Sequence, residues 1–127
     1  MTSAFLLFAM TLYGQTRTIE ILADRDSRFK INGKSDSQIT LKAGESVHWR
    51  VTAVKGKTWN RDGVIHGLTL IRLKDRVKVP GWNLELKSGV QEFTLVAPLE
   101  PGEYEILCTV ICSEEHEGMW IRVLVTP

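Results

Sequence analysis

The 127-residue sequence is short of the residues that most often announce a function: it holds two cysteines, three histidines, three methionines and four prolines. Two cysteines are too few for a disulfide scaffold, and a chain able to bury roughly two-thirds of its unfolded surface does not need one. Long hydrophobic runs are missing as well; none reaches the roughly 20 residues that a membrane-spanning helix requires. Charge of one sign is also absent. Sixteen Lys and Arg against fifteen Asp and Glu leave a formal +1, which excludes a general binder of nucleic acid or anionic membrane. Hydrophobic content of 43% and charged content of 24% exclude a disordered tail, a fibrous repeat and a multi-pass membrane protein. What remains is one globular domain.

The first sixteen residues carry no charge, and 4–13 (AFLLFAMTLY) form a short apolar run. Its length suits the apolar region of a secretory signal peptide cut near Gly14 or Thr16. Against this, no Lys or Arg precedes the run, and Leu12-Tyr13-Gly14 is a poor small-x-small site. A hydrophobic N-terminal strand or a truncated anchor is the alternative. The expectation is a leader over 1–16 and an exported mature chain, without a transmembrane span, whose single methionine is Met119.

Beyond the leader there is no helical periodicity of useful length, no internal repeat and no low-complexity tract. Short alternating segments separated by turn signals predict strands instead. Thr18–Ala23 is strand-like; Phe29–Asn32 and Gln38–Leu41 flank a turn at Asn32-Gly33-Lys34. Ser46–Ala53 places Val47, Trp49 and Val51 on one face and His48 and Arg50 on the other. Lys55–Gly63 reads as a loop, and Val64–Arg72 sets Val64, His66, Leu68 and Leu70 on a common face. Lys74–Ser88 is less regular, with a bend at Pro80-Gly81, and Val90–Val96 is a strand. Glu103–Cys108 aligns Tyr104, Ile106 and Cys108, and the last strand aligns Met119, Ile121, Val123 and Val125. Seven or eight such strands predict an all-β fold, an antiparallel Greek-key sandwich or barrel.

Both cysteines, one histidine and the only mature methionine fall within the segment Cys108-Thr-Val-Ile-Cys112-Ser-Glu-Glu-His116-Glu-Gly-Met119. Thiolate, imidazole and thioether together select copper, or less often zinc. Strand parity aims Cys108 and Met119 into the end of the core. His66 shares the inward face of its strand, where a histidine is more often a hydrogen-bonded core residue; a ligand loop in want of a further donor makes it a candidate.

The spacing Cys-x3-Cys-x3-His-x2-Met, completed by an upstream histidine on a strand, resembles the binuclear CuA site of cytochrome c oxidase subunit II and of the C-terminal domain of nitrous oxide reductase. Pro101-Gly102-Glu103-Tyr104-x3-Cys108 is similar to the strand entering the copper loop of cupredoxins, and Asp62-Gly-Val-Ile-His66-Gly67 to the segment carrying their first histidine. The resemblance covers most of 18–127. It implies a cupredoxin domain over 17–127 that holds two copper ions. Cys108 and Cys112 would be bridging thiolates, and His66 and His116 would each cap one copper. Met119 and the backbone carbonyl of Val110 would be weak ligands. It further implies a soluble, periplasmic or otherwise extracytoplasmic electron carrier rather than an enzyme. Its redox partners would be a c-type cytochrome donor and a terminal oxidase or reductase acceptor. Three departures stand out: Val110 replaces the usual glutamate, the acidic residue before the first histidine sits one place further upstream, and the two N-terminal transmembrane helices of subunit II are missing.

Other readings use the same residues. A mononuclear blue-copper site would take His66, one cysteine, His116 and Met119, leaving the second cysteine unexplained. A structural zinc site from His66, Cys108, Cys112 and His116 leaves out Met119. A Cys108–Cys112 disulfide would make the domain a partner-binding module, and a copper delivery or buffering protein would want exposed, exchangeable ligands. Around the loop, Glu114, Glu115 and Glu117 form either a solvated surface or a docking rim for a Lys-rich donor. His48 is expected at the surface, Trp49 in the core, and Trp120 as a packing aromatic on the strand face opposite Met119. Trp59 is a candidate exposed aromatic for electron exchange.

Overall fold

The computed structural model describes residues 16–26, 28–33, 38–55, 63–109 and 119–127, and within them all regular structure is β. The strands are β1 (Arg17–Ala23), β2 (Phe29–Ile31), β3 (Ile39–Lys42), β4 (Ser46–Ala53), β5 (Val64–Arg72), β6 (Val77–Lys87), β7 (Gly89–Val96), β8 (Gly102–Leu107) and β9 (Trp120–Thr126). They form a four-stranded sheet in the order β2-β1-β4-β7 and a five-stranded sheet in the order β3-β9-β8-β5-β6. Successive strands repeatedly change sheet, as from β4 to β5 and from β7 to β8, which is the Greek-key sandwich expected from the pattern.

Alternation explains the inner faces. β4 buries Val47, Trp49, Val51 and Ala53, and β1 buries Ile19, Ile21 and Ala23. The facing sheet contributes Tyr104 and Ile106 from β8 and Ile121, Val123 and Val125 from β9. Each large apolar side chain taken from water in this way contributes about 1.5–3 kcal/mol. Trp49 of one sheet and Trp82 of the other meet edge to face, with centroids 5.3 Å apart and rings inclined by 81°, so the aromatic pair ties the layers together.

The structure departs from the pattern in four places. The sheets are mixed, since β1–β4 and β3–β9 pair in parallel. The segments flanking the Asn32-Gly33 turn do not pair with each other: β2 joins β1 and β3 joins β9. β5 is buried on both faces, not one. On its outer side Thr69 has Asn83 as its register partner, and Ile71 lies between Lys78 and Glu105. Finally, 77–87 is one continuous strand. Pro80-Gly81 falls where the β5–β6 register shifts, and Gly81 takes φ +83°, so the bend is a bulge on an edge strand, where a proline removes no ladder bond.

Candidate metal centre

β8 runs antiparallel to both of its neighbours, β5 and β9. The end of β8 therefore lies beside the beginnings of the other two. This brings His66 near the start of β5, Cys108 just past β8 and Met119 just before β9 to one end of the sandwich. All three are buried: His66 is 0% exposed, Cys108 7% and Met119 1%.

Backbone groups fix these residues. His66 Nε2 lies 2.9 Å from the carbonyl oxygen of Val54, at the end of β4. A carbonyl only accepts, so Nε2 carries a proton, and in the neutral ring Nδ1 is then the nitrogen able to ligate a metal. The amide of Gly67 donates to Cys108 Sγ at 3.4 Å, a contact that favours negative charge on the sulfur. The amide of Cys108 donates to the carbonyl oxygen of Met119 at 3.1 Å, which joins the two ends of the ligand loop.

Of the residues singled out in the sequence, His66, Cys108 and Met119 are thus gathered at one pole. Val110, Cys112 and His116 lie outside the described residues, as do Glu114, Glu115, Glu117, Trp59, the loop residues 56–62 and leader residues 1–15. Among the described residues, no three of His, Cys, Asp and Glu come together as a metal cage. The donor types present (an imidazole set by its second nitrogen, a thiol beside an amide, a buried thioether) fit a soft or borderline metal such as copper. Sequence reasoning missed Val54 and Gly67, because both act through the backbone; the only trace is the glycine directly after His66.

Two further expectations can be placed. His48 lies on the outer face, with Nε2 2.9 Å from Glu92 Oε1, and Trp49 is 1% exposed in the core. Trp120 lies on the face of β9 opposite the buried Ile121, as strand parity predicts, and at 48% exposed it is less packed than expected. At the opposite pole the contacts are ionic. Arg72 pairs with Asp75 and Glu100, and Lys74 reaches Glu100 at 2.7 Å. The Arg72 hydrogen bond holds the Asp75 carboxyl below its ordinary range, and Lys74 does the same for Glu100. Tyr104 lies beneath, its hydroxyl donating to the Glu100 carbonyl at 2.7 Å.

No protein-family model and no curated protein sequence matches the chain. Solved structures do. A chain of a heme-copper terminal oxidase dimer matches with a TM-score of 0.63 and 21% identity, covering 90% of this chain and 67% of that one. Rusticyanin from Thiobacillus ferrooxidans matches at 0.57 and 18%, over 89% and 79% of the two chains. Auracyanin B matches at 0.56 and 22%, over 87% and 89%. The chain therefore has the cupredoxin fold. At these identities the likeness defines the architecture, and the chemistry has to be argued from the chain's own residues.

Proposed function

We propose that this chain is an extracytoplasmic electron-transfer protein with a binuclear copper centre of the CuA type. The observation that carries the reading is the meeting of His66, Cys108 and Met119 at one buried pole, with His66 presenting Nδ1. The residues that would hold the metal are His66, Cys108, Val110 (through its carbonyl), Cys112, His116 and Met119. When bound, copper would supply a one-electron couple.

The protein's part is to hold still and to exclude water. Val54 sets the His66 tautomer, and the Gly67 amide supports charge on the Cys108 sulfur. His66 on β5, and Cys108 and Met119 at the ends of β8 and β9, would resist rearrangement when the charge changes, and their burial keeps their surroundings dry. Burial also disfavours a copper-delivery role, which needs exchangeable ligands. With every ligand position filled by the protein, no place is left for a substrate, so the chain is an electron carrier and not an enzyme. Its proposed partners are a c-type cytochrome as donor and a terminal oxidase or reductase as acceptor. The oxidase-chain neighbour supports the acceptor side of this reading.

Copper loading of the full chain, with metal-to-protein ratio and optical and EPR spectra, tests the proposal. Two coppers sharing one unpaired electron are expected. A single copper with a simple blue-type spectrum would replace this reading with the mononuclear one, and failure to retain copper would leave the disulfide module.

A further inference from the structure

The paired register of β8 against β5 stops at Thr69↔Leu107. The chain has still to deliver Cys108 and Thr109 beside β5 before the ligand loop begins. Two contacts that are not ladder bonds bridge this interval. One is the Gly67 amide on Cys108 Sγ. The other lies on the outer face of the sheet, where the hydroxyls of Thr69 and Thr109 are 2.8 Å apart.

Thr69 is 0% exposed, and its hydroxyl also donates to Asn83 Oδ1, on β6, at 2.8 Å. A hydroxyl has one proton to donate. Since that of Thr69 goes to Asn83, Thr109 must be the donor to Thr69. The outcome is a directed chain, Thr109 to Thr69 to Asn83, running from the root of the ligand loop across β5 to the edge strand. Neighbouring residues on an extended chain point to opposite faces, so Thr109 on the outside and Cys108 on the inside turn together. A backbone rotation that turns Cys108, and with it the direction of its sulfur, would also pull Thr109 off Thr69.

We propose that Thr69 is a positioning residue for the metal centre, fixing the direction of the Cys108 sulfur through Thr109. Its purpose rests on the copper reading above, but the clamp can be measured without copper. Thr69 is the one buried member of this chain, between the exposed Thr109 and Asn83, so deleting it breaks both links, whereas deleting an end breaks one.

The test compares wild type with Thr69→Val, which keeps the branched shape and loses the hydroxyl, and with Thr69→Ser, which keeps the hydroxyl. In the metal-free, reduced full chain, alkylation of Cys108 is followed by peptide mass spectrometry. Labelling about three- to tenfold faster is expected for T69V, the range set by the net worth of one hydrogen bond. T69S should label near the wild-type rate. Asn83→Ala, at an exposed position, should give a smaller rise in the same direction, and it decides the matter alone if T69V does not fold. In the copper-loaded protein T69V should shift the reduction potential and release copper to a chelator several-fold faster, with T69S restoring both. Unchanged Cys108 labelling in T69V and N83A would overturn the proposal. So would a rise no larger than the loss of global stability in urea, because that would make Thr69 merely structural. If wild type binds no copper, the functional reading falls, while the labelling rates still decide the clamp.

Discussion

The two poles of the sandwich are built from different contacts. At the pole of the proposed metal centre, His66, Cys108 and Met119 are buried and each is met by backbone: the Val54 carbonyl, the Gly67 amide, and the Met119 carbonyl with the Cys108 amide. At the far pole, exposed side chains of opposite charge hold one another. The backbone halves of these contacts carry no charge to titrate, and they are sheltered from salt by burial. Exposed ion pairs do titrate and are screened by salt. A centre that must keep its geometry through repeated charge changes belongs at the first kind of pole.

Four experiments probe the contrast, from the largest expected effect downward. Cys112→Ser and His66→Ala should abolish the binuclear copper signal, read by EPR; either variant retaining it would sink the ligand assignment. Gly67→Pro removes the amide that supports charge on Cys108 Sγ. Because the reduced centre carries one more electron, loss of that donor should lower the reduction potential, measured by spectroelectrochemistry. Tyr104→Phe removes the bond to the Glu100 carbonyl at the far pole. It should cost about 1 kcal/mol in denaturant unfolding, with the copper spectrum and potential unchanged.

The smallest effect concerns pH. Asp75 and Glu100 have carboxyls held below their ordinary range in the folded protein. Their pairing therefore stabilises the fold above the unfolded carboxylate pKa and is lost as pH falls through the lower, folded values. Thermal midpoints should decline on that acid limb, less steeply in high salt, and Glu100→Gln should flatten the decline.

Where side chains alternate in and out, the pattern was readable from residues alone. The inward sets Val47/Trp49/Val51, Tyr104/Ile106/Cys108 and Met119/Ile121/Val123/Val125 are all buried. Partner choice between strands was not readable. Nothing in the short segments at 29–31 and 39–42 says that they belong to different sheets, because pairing is settled by long-range closure. The double-sided burial of β5 is likewise set by what packs on its outer face, which no local pattern reports. Parity gives the face that Trp120 occupies but not its exposure, because a tryptophan's size argues for packing while exposure depends on its surroundings in space. His66, Cys108 and Met119 could be picked out by type and parity. The groups that fix them could not, since a carbonyl and an amide occur at nearly every residue.

The meeting of β5 with the end of β8 has a consequence for how the protein comes into being. Gly67 and Cys108 are 41 residues apart in sequence, so their contact forms only after a large stretch of chain has closed, a slow kind of event during folding. The segment 108–119, by contrast, carries its cysteines, histidine and methionine close together before any sheet exists. On the proposed ligand set, a nascent chain would offer metal an incomplete, local group of ligands first and His66 only later. Metal captured early would bind the unfolded chain as well as the folded one and so add little to native stability. Refolding should accordingly give a better-loaded centre when copper is supplied after the sheets have closed than when it is present from the start.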